Sequence, residues 1–359
     1  MNFFRTISLL FIAALFSVFT RAQTARKYSN EFLNIGVDAA AMGMANTVTP
    51  TVADVTAGYW NPAGLTHLEG NEVALMHAAW FANIAQYDYA AFAMPLQNNN
   101  AFGISLIRFG VDDILDTTQL IDSQGNIDYN RIELFSAADY GLLLSYAAKN
   151  IFKEFSYGVN LKIIHRRIGD FATSFGFGFD AGLQYTGEKW SYGLMIRDIT
   201  TTYNTWNFDK DKLEAIQNAI PGQNQQLPET NEITLPKAEL GISREWELNR
   251  DISLLSSFGL NMRFARTQDI INTDYVSISP ALGFQAGYLD FVFLRAGINN
   301  IQEVTLYGDT RAVSWQPNMG AGFLYNGIQV DYALTNIAST GNALYSHVFS
   351  IKIDLDAFR

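Results

Sequence analysis

Beyond residue 22 the chain holds no apolar run of helix length, yet apolar and polar residues alternate one for one along many of its segments. A helix needs ~20 apolar residues to cross a bilayer, whereas a strand crosses with about ten and shows lipid only one of its faces. In Phe155 to Arg166, apolar Phe155, Tyr157, Val159, Leu161 and Ile163 interleave with Ser156, Gly158, Asn160 and Lys162. Ile328, Val330, Tyr332 and Leu334 alternate in the same way with Gln329, Asp331, Ala333 and Thr335, as do Phe349, Ile351, Ile353 and Leu355 with Ser350, Lys352 and Asp354. Successive strand residues point to opposite faces, so each segment carries one greasy face and one polar face. A soluble sandwich shares that period, and composition separates the two. Aromatic residues make up 14% of the chain and charged residues only 16%, whereas a soluble acidic protein keeps its surface charged. Lipid tolerates no unpaired strand edge, so a membrane-spanning sheet must close on itself. The expected fold class is all-β, a transmembrane antiparallel barrel.

Fourteen segments fit, an even number within the range of such barrels: Glu72 to Phe81, Ile84 to Leu96, Ala101 to Gly110, Phe135 to Lys149, Glu154 to Ile168, Thr173 to Thr186, Lys189 to Ile199, Lys237 to Leu248, Asp251 to Ala265, Tyr275 to Leu289, Phe291 to Asn299, Ser314 to Tyr325, Ile328 to Thr335 and Leu344 to Leu355. Tight connections fall at Gln97-Asn98-Asn99, Asn150-Ile151-Phe152, Gly187-Glu188, Asn249-Arg250, Asp290 and Asn326-Gly327. Long ones fall at Val111 to Leu134, Thr200 to Pro236, Arg266 to Asp274 and Asn300 to Val313. Short periplasmic turns and long outer loops are the habit of outer-membrane barrels, which puts both termini on the periplasmic side. The first hairpin, near Ala82-Asn83, is short where a long loop is expected. Trp80 and Trp315 at outer strand ends, with Trp190 and Trp246 at inner ends, suit interfacial aromatic girdles.

The start of the chain reads as an export signal over residues 1–22. Arg5 supplies a basic start, Ile7 to Phe19 is almost wholly apolar, and Thr20-Arg21-Ala22 offers small residues at the cleavage site, leaving Gln23 first. The apolar run is too short for a single-pass anchor. Removing Arg5 and Arg21 takes the net charge from -11 to -13, which repels nucleic acid. With no cysteine, no disulfide closes the fold. Residues 23–70 are too rich in Ala and Gly for a lipid-facing strand and read as a plug, followed by the barrel over 71–359. Within the plug, Ala39 to Met44 is helix-compatible. Trp60-Asn61-Pro62-Ala63-Gly64-Leu65 contains a turn in which proline fixes φ and glycine accepts positive φ.

Residues for chemistry are sparse. His67, His77, His165 and His347 are scattered and lack metal-ligand spacing, so no metal, cofactor or catalytic residue is expected. Gly176-Phe177-Gly178 lacks the third glycine of a dinucleotide loop and suits small inward-facing positions. Asp122, Asn126 and Asp128 do not have the spacing of a twelve-residue calcium loop. Lys162, Arg166, Arg197 and Arg263 are expected to face the lumen with Asp180, Glu239 and Asp331, filling a polar interior with ion pairs. In the long loop, Leu213, Ile216 and Ile220 recur at helical spacing before Pro221-Gly222, a surface helix that either covers the rim or receives a partner.

The run Phe32-Leu33-Asn34-Ile35-Gly36-Val37-Asp38-Ala39-Ala40-Ala41-Met42-Gly43-Met44, then Val52-Ala53-Asp54 and Tyr59-Trp60-Asn61-Pro62-Ala63-Gly64-Leu65, resembles the PorV/PorQ family of the type IX secretion system of Bacteroidota. That family is built on the barrel of the FadL fatty-acid transporters. The Asn-Pro-Ala-Gly-Leu turn is common to FadL-type proteins, while the upstream run points to the PorV/PorQ branch, with alanine at Ala40 and Ala41 departing from its pattern. The resemblance covers about the first fifth of the mature chain. It implies a plugged fourteen-stranded barrel that binds the translocon barrel, or the C-terminal signal domain of secreted cargo, for export or surface attachment. The alternative it leaves is a FadL-like channel for hydrophobic small molecules.

Overall fold

The computed structural model describes residues 29–80, 83–120, 124–152, 154–211, 230–305, 310–335 and 345–358. The proposed signal peptide, residues 23–28 and the Leu213, Ile216, Ile220 helix lie outside them. Seventeen strands form one antiparallel sheet. They are β1 (Glu72–Trp80), β2 (Ala85–Leu96), β3 (Asn100–Asp116), β4 (Glu133–Phe152), β5 (Phe155–Ile168), β6 (Ala172–Thr186), β7 (Trp190–Arg197), β8 (Thr202–Phe208) and β9 (Asn231–Thr234), followed by β10 (Lys237–Glu247), β11 (Ile252–Arg263), β12 (Ile271–Asn272), β13 (Ser277–Tyr288), β14 (Val292–Thr305), β15 (Arg311–Tyr325), β16 (Ile328–Thr335) and β17 (Ser346–Asp354).

Fourteen of these strands make a closed barrel. Closure runs through β1, which pairs with β17 from Glu72↔Asp354 to Ala79↔His347 while its other edge pairs with β2. Among the described residues each of the fourteen is paired on both sides, as lipid requires. The remaining three, β8, β9 and β12, are additions at one end. Strand β6 bonds β7 over Ala181–Thr186 and β8 over Ala172–Phe177, so the β8–β9 pair extends the wall where β7 stops. Thr200 to Pro236, expected as one long loop, thus contains two strands, because pairing to the free upper edge of β6 overrides a weak local signal. Similarly, Asn150-Ile151-Phe152 ends β4 instead of forming a turn, and β4 re-pairs with β5 at Phe152↔Phe155.

Most of the short turns share one end of the barrel; the connections from β1 to β2 and from β5 to β6, the latter through Gly169 (φ 49), are short as well but lie at the opposite end. Asn326 (φ 49) and Gly327 (φ 76) both take positive φ between β15 and β16, the mirror-image turn whose twist matches its strands. Leu289 (φ 53) and Asp290 (φ 51) do the same between β13 and β14. This turn end also holds Asp356–Phe358, whose Asp356 carboxylate accepts from Asn71 N at 2.8 Å. The opposite, loop end carries the longer connections.

Outward positions are apolar nearly all round: Phe175 is 64% exposed, Leu294 62% and Met319 58%. Trp190, Trp246 and Trp315 also face out. Trp80 does not. It shares the parity of Ala74, Met76 and Ala78, is 9% exposed, and points into the lumen, which corrects its expected place in the girdle. The Arg244 guanidinium lies 3.6 Å from the Trp246 ring centroid and 5.0 Å from that of Trp190, a cation–π stack on the outer face near the turn end.

Val330 faces outward at 47% exposure between Phe323 and Ile351. Val330→Lys should cost about 2–4 kcal/mol if the position lies near the bilayer midplane, read as a lowered urea midpoint for unfolding from lipid vesicles. An unchanged midpoint would mean that this face does not meet lipid.

Candidate functional site

The lumen is occupied by residues 29–70, and their path is held by short local structures. Asp38, at φ 71, caps the helix Ala39–Gly43 by accepting from Ala40 N. The helix ends in a tight turn, with Ala45 and Asn46 at positive φ. Ala57–Trp60 is one helical turn, and Pro62–His67 a 3-10 turn with proline at its start, where no N–H is needed.

The plug meets all fourteen barrel strands. Its helix lies on β14 to β17, and its 3-10 turn on β2 to β6. Asp38 N donates to Met76 Sδ on β1 at 3.1 Å, and the Ser257 hydroxyl on β11 donates to Thr47 O. Much of the closest backbone contact is made on glycine. A Cβ at Gly158 would fall 2.5 Å from the Pro62 carbonyl carbon, one at Gly241 2.6 Å from Pro50 Cδ, and one at Gly297 2.7 Å from Ala45 Cβ. Cβ atoms at Gly182, Gly193 and Gly283 would strike Asn61, Thr49 and Met44. These glycines pair in register, Gly158 with Gly182, Gly193 with Gly241 and Gly283 with Gly297, so the missing side chains form a groove in the wall that takes plug backbone. Gly176 and Gly178 are likewise inward, beneath the Asn204 and Thr202 side chains.

The sequence-selected residues Trp60 to Leu65 are buried together and act as anchors. Asn61 Nδ2 donates to Thr49 O at 3.0 Å and to Leu183 O on β6 at 3.1 Å, while its Oδ1 accepts from Ala63 N. Trp60 Nε1 donates to Val37 O at 3.1 Å, and Leu65 is fully buried against Gly103. Gly64 has no room for a side chain beside Val52 O. Tyr59 donates to Leu33 O at 2.7 Å and accepts from Gly36 N, with the Arg197 guanidinium 4.5 Å above its ring. Burial, with the neighbouring Glu239 carboxylate adding to it and Arg197 opposing, raises the Tyr59 hydroxyl to about 12.

Ion pairs complete the interior. Lys162 meets Asp180 at 2.8 Å and Asp198 at 2.6 Å, Arg197 meets Glu239 at 2.8 Å, and Arg295 meets Asp331 at 2.6 Å. Arg166 bridges Asp139 and Glu232, while Arg263 approaches Asp269 at 3.8 Å. The expected lumen charges are therefore inward and paired. Unforeseen in the sequence were Asp198 and Arg295, and above all Lys352, which ties the plug to the wall through Asp38 (3.1 Å) and Asp54 (2.7 Å). The inward parity of Lys352 was readable; its partners, some 300 residues away, were not. Burial alone would raise the Asp54 carboxyl, but the Lys352 ammonium and hydrogen bonds from Thr56 outweigh it and hold the group below its ordinary value.

The histidines stay apart. His77 pairs with Asp88 on the outer face, His165 lies against Phe175, His347 bonds Tyr332, and His67 ends the plug's 3-10 turn, its pKa lowered by burial and by Lys149. Asp128 is engaged by Asn130 and Arg131. Among the described residues no cluster of three or more His, Asp or Glu has metal-site geometry.

On the loop side of the plug lies a cavity of about 370 Å³. Its floor is plug, through Asn34, Ile35, Asn46, Tyr59 and Trp60, and its wall includes Trp80, Arg197, Lys237, Asn261 and Arg263.

No family profile matches the sequence, and no curated protein matches it. Solved structures do. The toluene transporter TbuX of Ralstonia pickettii aligns at 13% identity and TM-score 0.53, covering 89% of this chain and 98% of that one. The toluene transporter TodX of P. putida aligns at 11% identity and TM-score 0.55 (89% and 99%), and a Pseudomonas aeruginosa FadL homologue at 14% and 0.50 (89% and 98%). The neighbours are transporters and channels of the FadL-like fold, not enzymes, and that fold, with the apolar outer face, indicates an outer-membrane location.

Gly158→Val should unseat Pro62 and open the lumen without opening the sheet. Single-channel conductance should rise several-fold in planar bilayers while the barrel keeps its heat-modifiable gel mobility; an unaltered conductance would refute the seat. The acid response has a defined sign. Because Asp54 titrates lower in place than in an unfolded chain, its contribution is complete above about pH 4 and is lost as pH falls through its depressed value. Acidification below about pH 4 should therefore loosen the plug, seen as faster protease cleavage within residues 29–70, and Lys352→Met should remove this acid-dependent step.

Proposed function

We propose that the chain is an outer-membrane conduit for small molecules, gated by the plug of residues 29–70. The observation that carries this reading is a ligand-sized cavity seated directly on a plug that touches the whole circumference of the barrel. Passage requires the plug to shift, and its mode of attachment suits that. Buried ion pairs fix position strongly while adding little net stability, and backbone lying on glycine leaves few interlocked side chains. The FadL-like fold shared with the toluene transporters TbuX and TodX and with the monoaromatic hydrocarbon channel CymD supports the same class of work. In this reading the turn end faces the periplasm and the loop end faces outward.

A second reading rests on a separate observation, the resemblance of Phe32 to Met44 and Tyr59 to Leu65 to the PorV/PorQ family. Here the barrel serves type IX secretion, binding the translocon barrel or the signal domain of cargo through its outer loops, with Leu213, Ile216 and Ile220 as the docking face. The two readings part on a direct comparison. The conduit should carry a small aromatic such as toluene into protein-bearing vesicles several-fold faster than into empty ones, and Gly158→Val should speed it further. Rates equal to those of empty vesicles, together with loss of a co-purifying protein on Leu213→Asp and Ile216→Asp, would replace the conduit by the secretion role.

A further inference from the structure

The wall of the loop-side cavity follows a rule. Four of the barrel strands that seat the plug on glycine contribute cavity residues a few positions nearer the loop end: Arg197 beyond Gly193, Lys237 and Glu239 beyond Gly241, Asn261 and Arg263 beyond Gly259, and Gln316 beyond Gly320. The cavity is therefore the upper surface of the plug itself. Its volume of about 370 Å³ falls within the ~300–1,000 Å³ of small-molecule sites.

Its chemistry is not that of a hydrocarbon pocket. Three cations, Arg197, Lys237 and Arg263, line it with two carboxylates, Glu31 and Glu239, in a chain whose net charge is -11. Arg197 is bound to Glu239, and Arg263 approaches Asp269. Lys237 has no hydrogen bond and no carboxylate within 4.0 Å among the described residues, although it lines both this cavity and the small pocket beside Asp198. A half-buried ammonium without a partner is costly. In the same lining, Asn46 Oδ1 is buried without a donor among the described residues, and the Asn261 amide makes no hydrogen bond to them. Tyr59, Trp60 and Trp80 add flat aromatic surface.

An anion for Lys237, a hydroxyl donor for Asn46 Oδ1 and a planar ring for the aromatic side chains define one ligand class. We propose that this cavity binds a small hydroxylated aromatic carboxylate, with the carboxylate on Lys237, the hydroxyl directed to Asn46 and the ring against Trp60 and Trp80. The proposal rests on the conduit reading and narrows it: a neutral hydrocarbon leaves Lys237 and Asn46 unsatisfied, so the acid is preferred.

The test uses the purified mature protein in detergent, with 4-hydroxybenzoate and its neutral analogue 4-methylphenol as probes, followed by calorimetry and tryptophan fluorescence. 4-Hydroxybenzoate should bind at least about tenfold more tightly than 4-methylphenol, one charge-assisted contact's worth. Lys237→Met should erase that preference by weakening 4-hydroxybenzoate, while Lys237→Arg should retain most of it. Should Lys237→Met fail to fold, the preference of the wild-type protein and its weakening at high salt still decide. Equal affinity for the two probes, or a preference that survives Lys237→Met, overturns the proposal. Vesicle uptake separates this from failure of the conduit: uptake of 4-methylphenol without preference for the acid sinks only the ligand class, whereas tight 4-hydroxybenzoate binding without any uptake keeps the site and sinks the conduit.

Discussion

Backbone hydrogen bonding in a medium without water governs this fold. Every N–H and C=O of a spanning segment must find a partner within the protein, and an antiparallel sheet meets that demand only when its first and last strands pair. The β1–β17 ladder is that closure. Once it forms, outer and inner faces are assigned together, because a one-residue slip would exchange them along a whole strand. Lys352, Asp331 and Lys162 reach the lumen by the same parity that sends Ile351, Val330 and Ile163 to lipid. The polar interior is the obligatory reverse of the greasy exterior.

A cylinder of this width cannot be filled by its own side chains, and here residues 29–70 do it. The filling is uneven. Against β1 to β5 the plug forms an apolar core, with Val37, Tyr59, Trp60 and Leu65 packed on Met76, Tyr87, Ile107, Leu143 and Ile164. Over β6 to β16 it lies on glycine and beside ion pairs. One side therefore holds the plug by water exclusion, which is strong and undirected. The other holds it by fit and charge, which specify position. The cavity lies over that second side.

Much of the barrel was legible in the sequence because a period of two survives any change in neighbours. The fourteen wall strands, the turns at Asn326-Gly327 and Asp290, and the inward charges Lys162, Arg197 and Asp331 all follow from local pattern. Elements defined by long-range pairing were not legible. Strands β8 and β9 have weak local pattern and exist because β7 ends early and leaves the edge of β6 to be paired. The strand-end position of Trp80 suggests a girdle, but face is set by parity, and parity puts it inside. The sequence singles out the Trp60 to Leu65 turn, but its contacts with β5 and β6, through Pro62 on Gly158 and Asn61 on Leu183 O, are long-range and visible only in the structure.

The two modes of attachment bear on how such a plug can move. Displacing the apolar side would expose aromatic surface to water, at roughly 25 cal/mol per Å². Displacing the other side exchanges ion pairs for hydration, and desolvation already cancels much of what those pairs gain. Motion should therefore hinge on the β1 to β5 side and begin on the β6 to β16 side, where Pro50, Thr49 and Met44 lie on glycine without interlocking side chains. That is also where Arg197 and Lys237 form part of the cavity wall beside the plug. Under the conduit proposal, a ligand that takes up the charge of Lys237 would change the electrostatic balance at the edge of the plug least held by apolar packing, so occupancy would bear on opening without any second site.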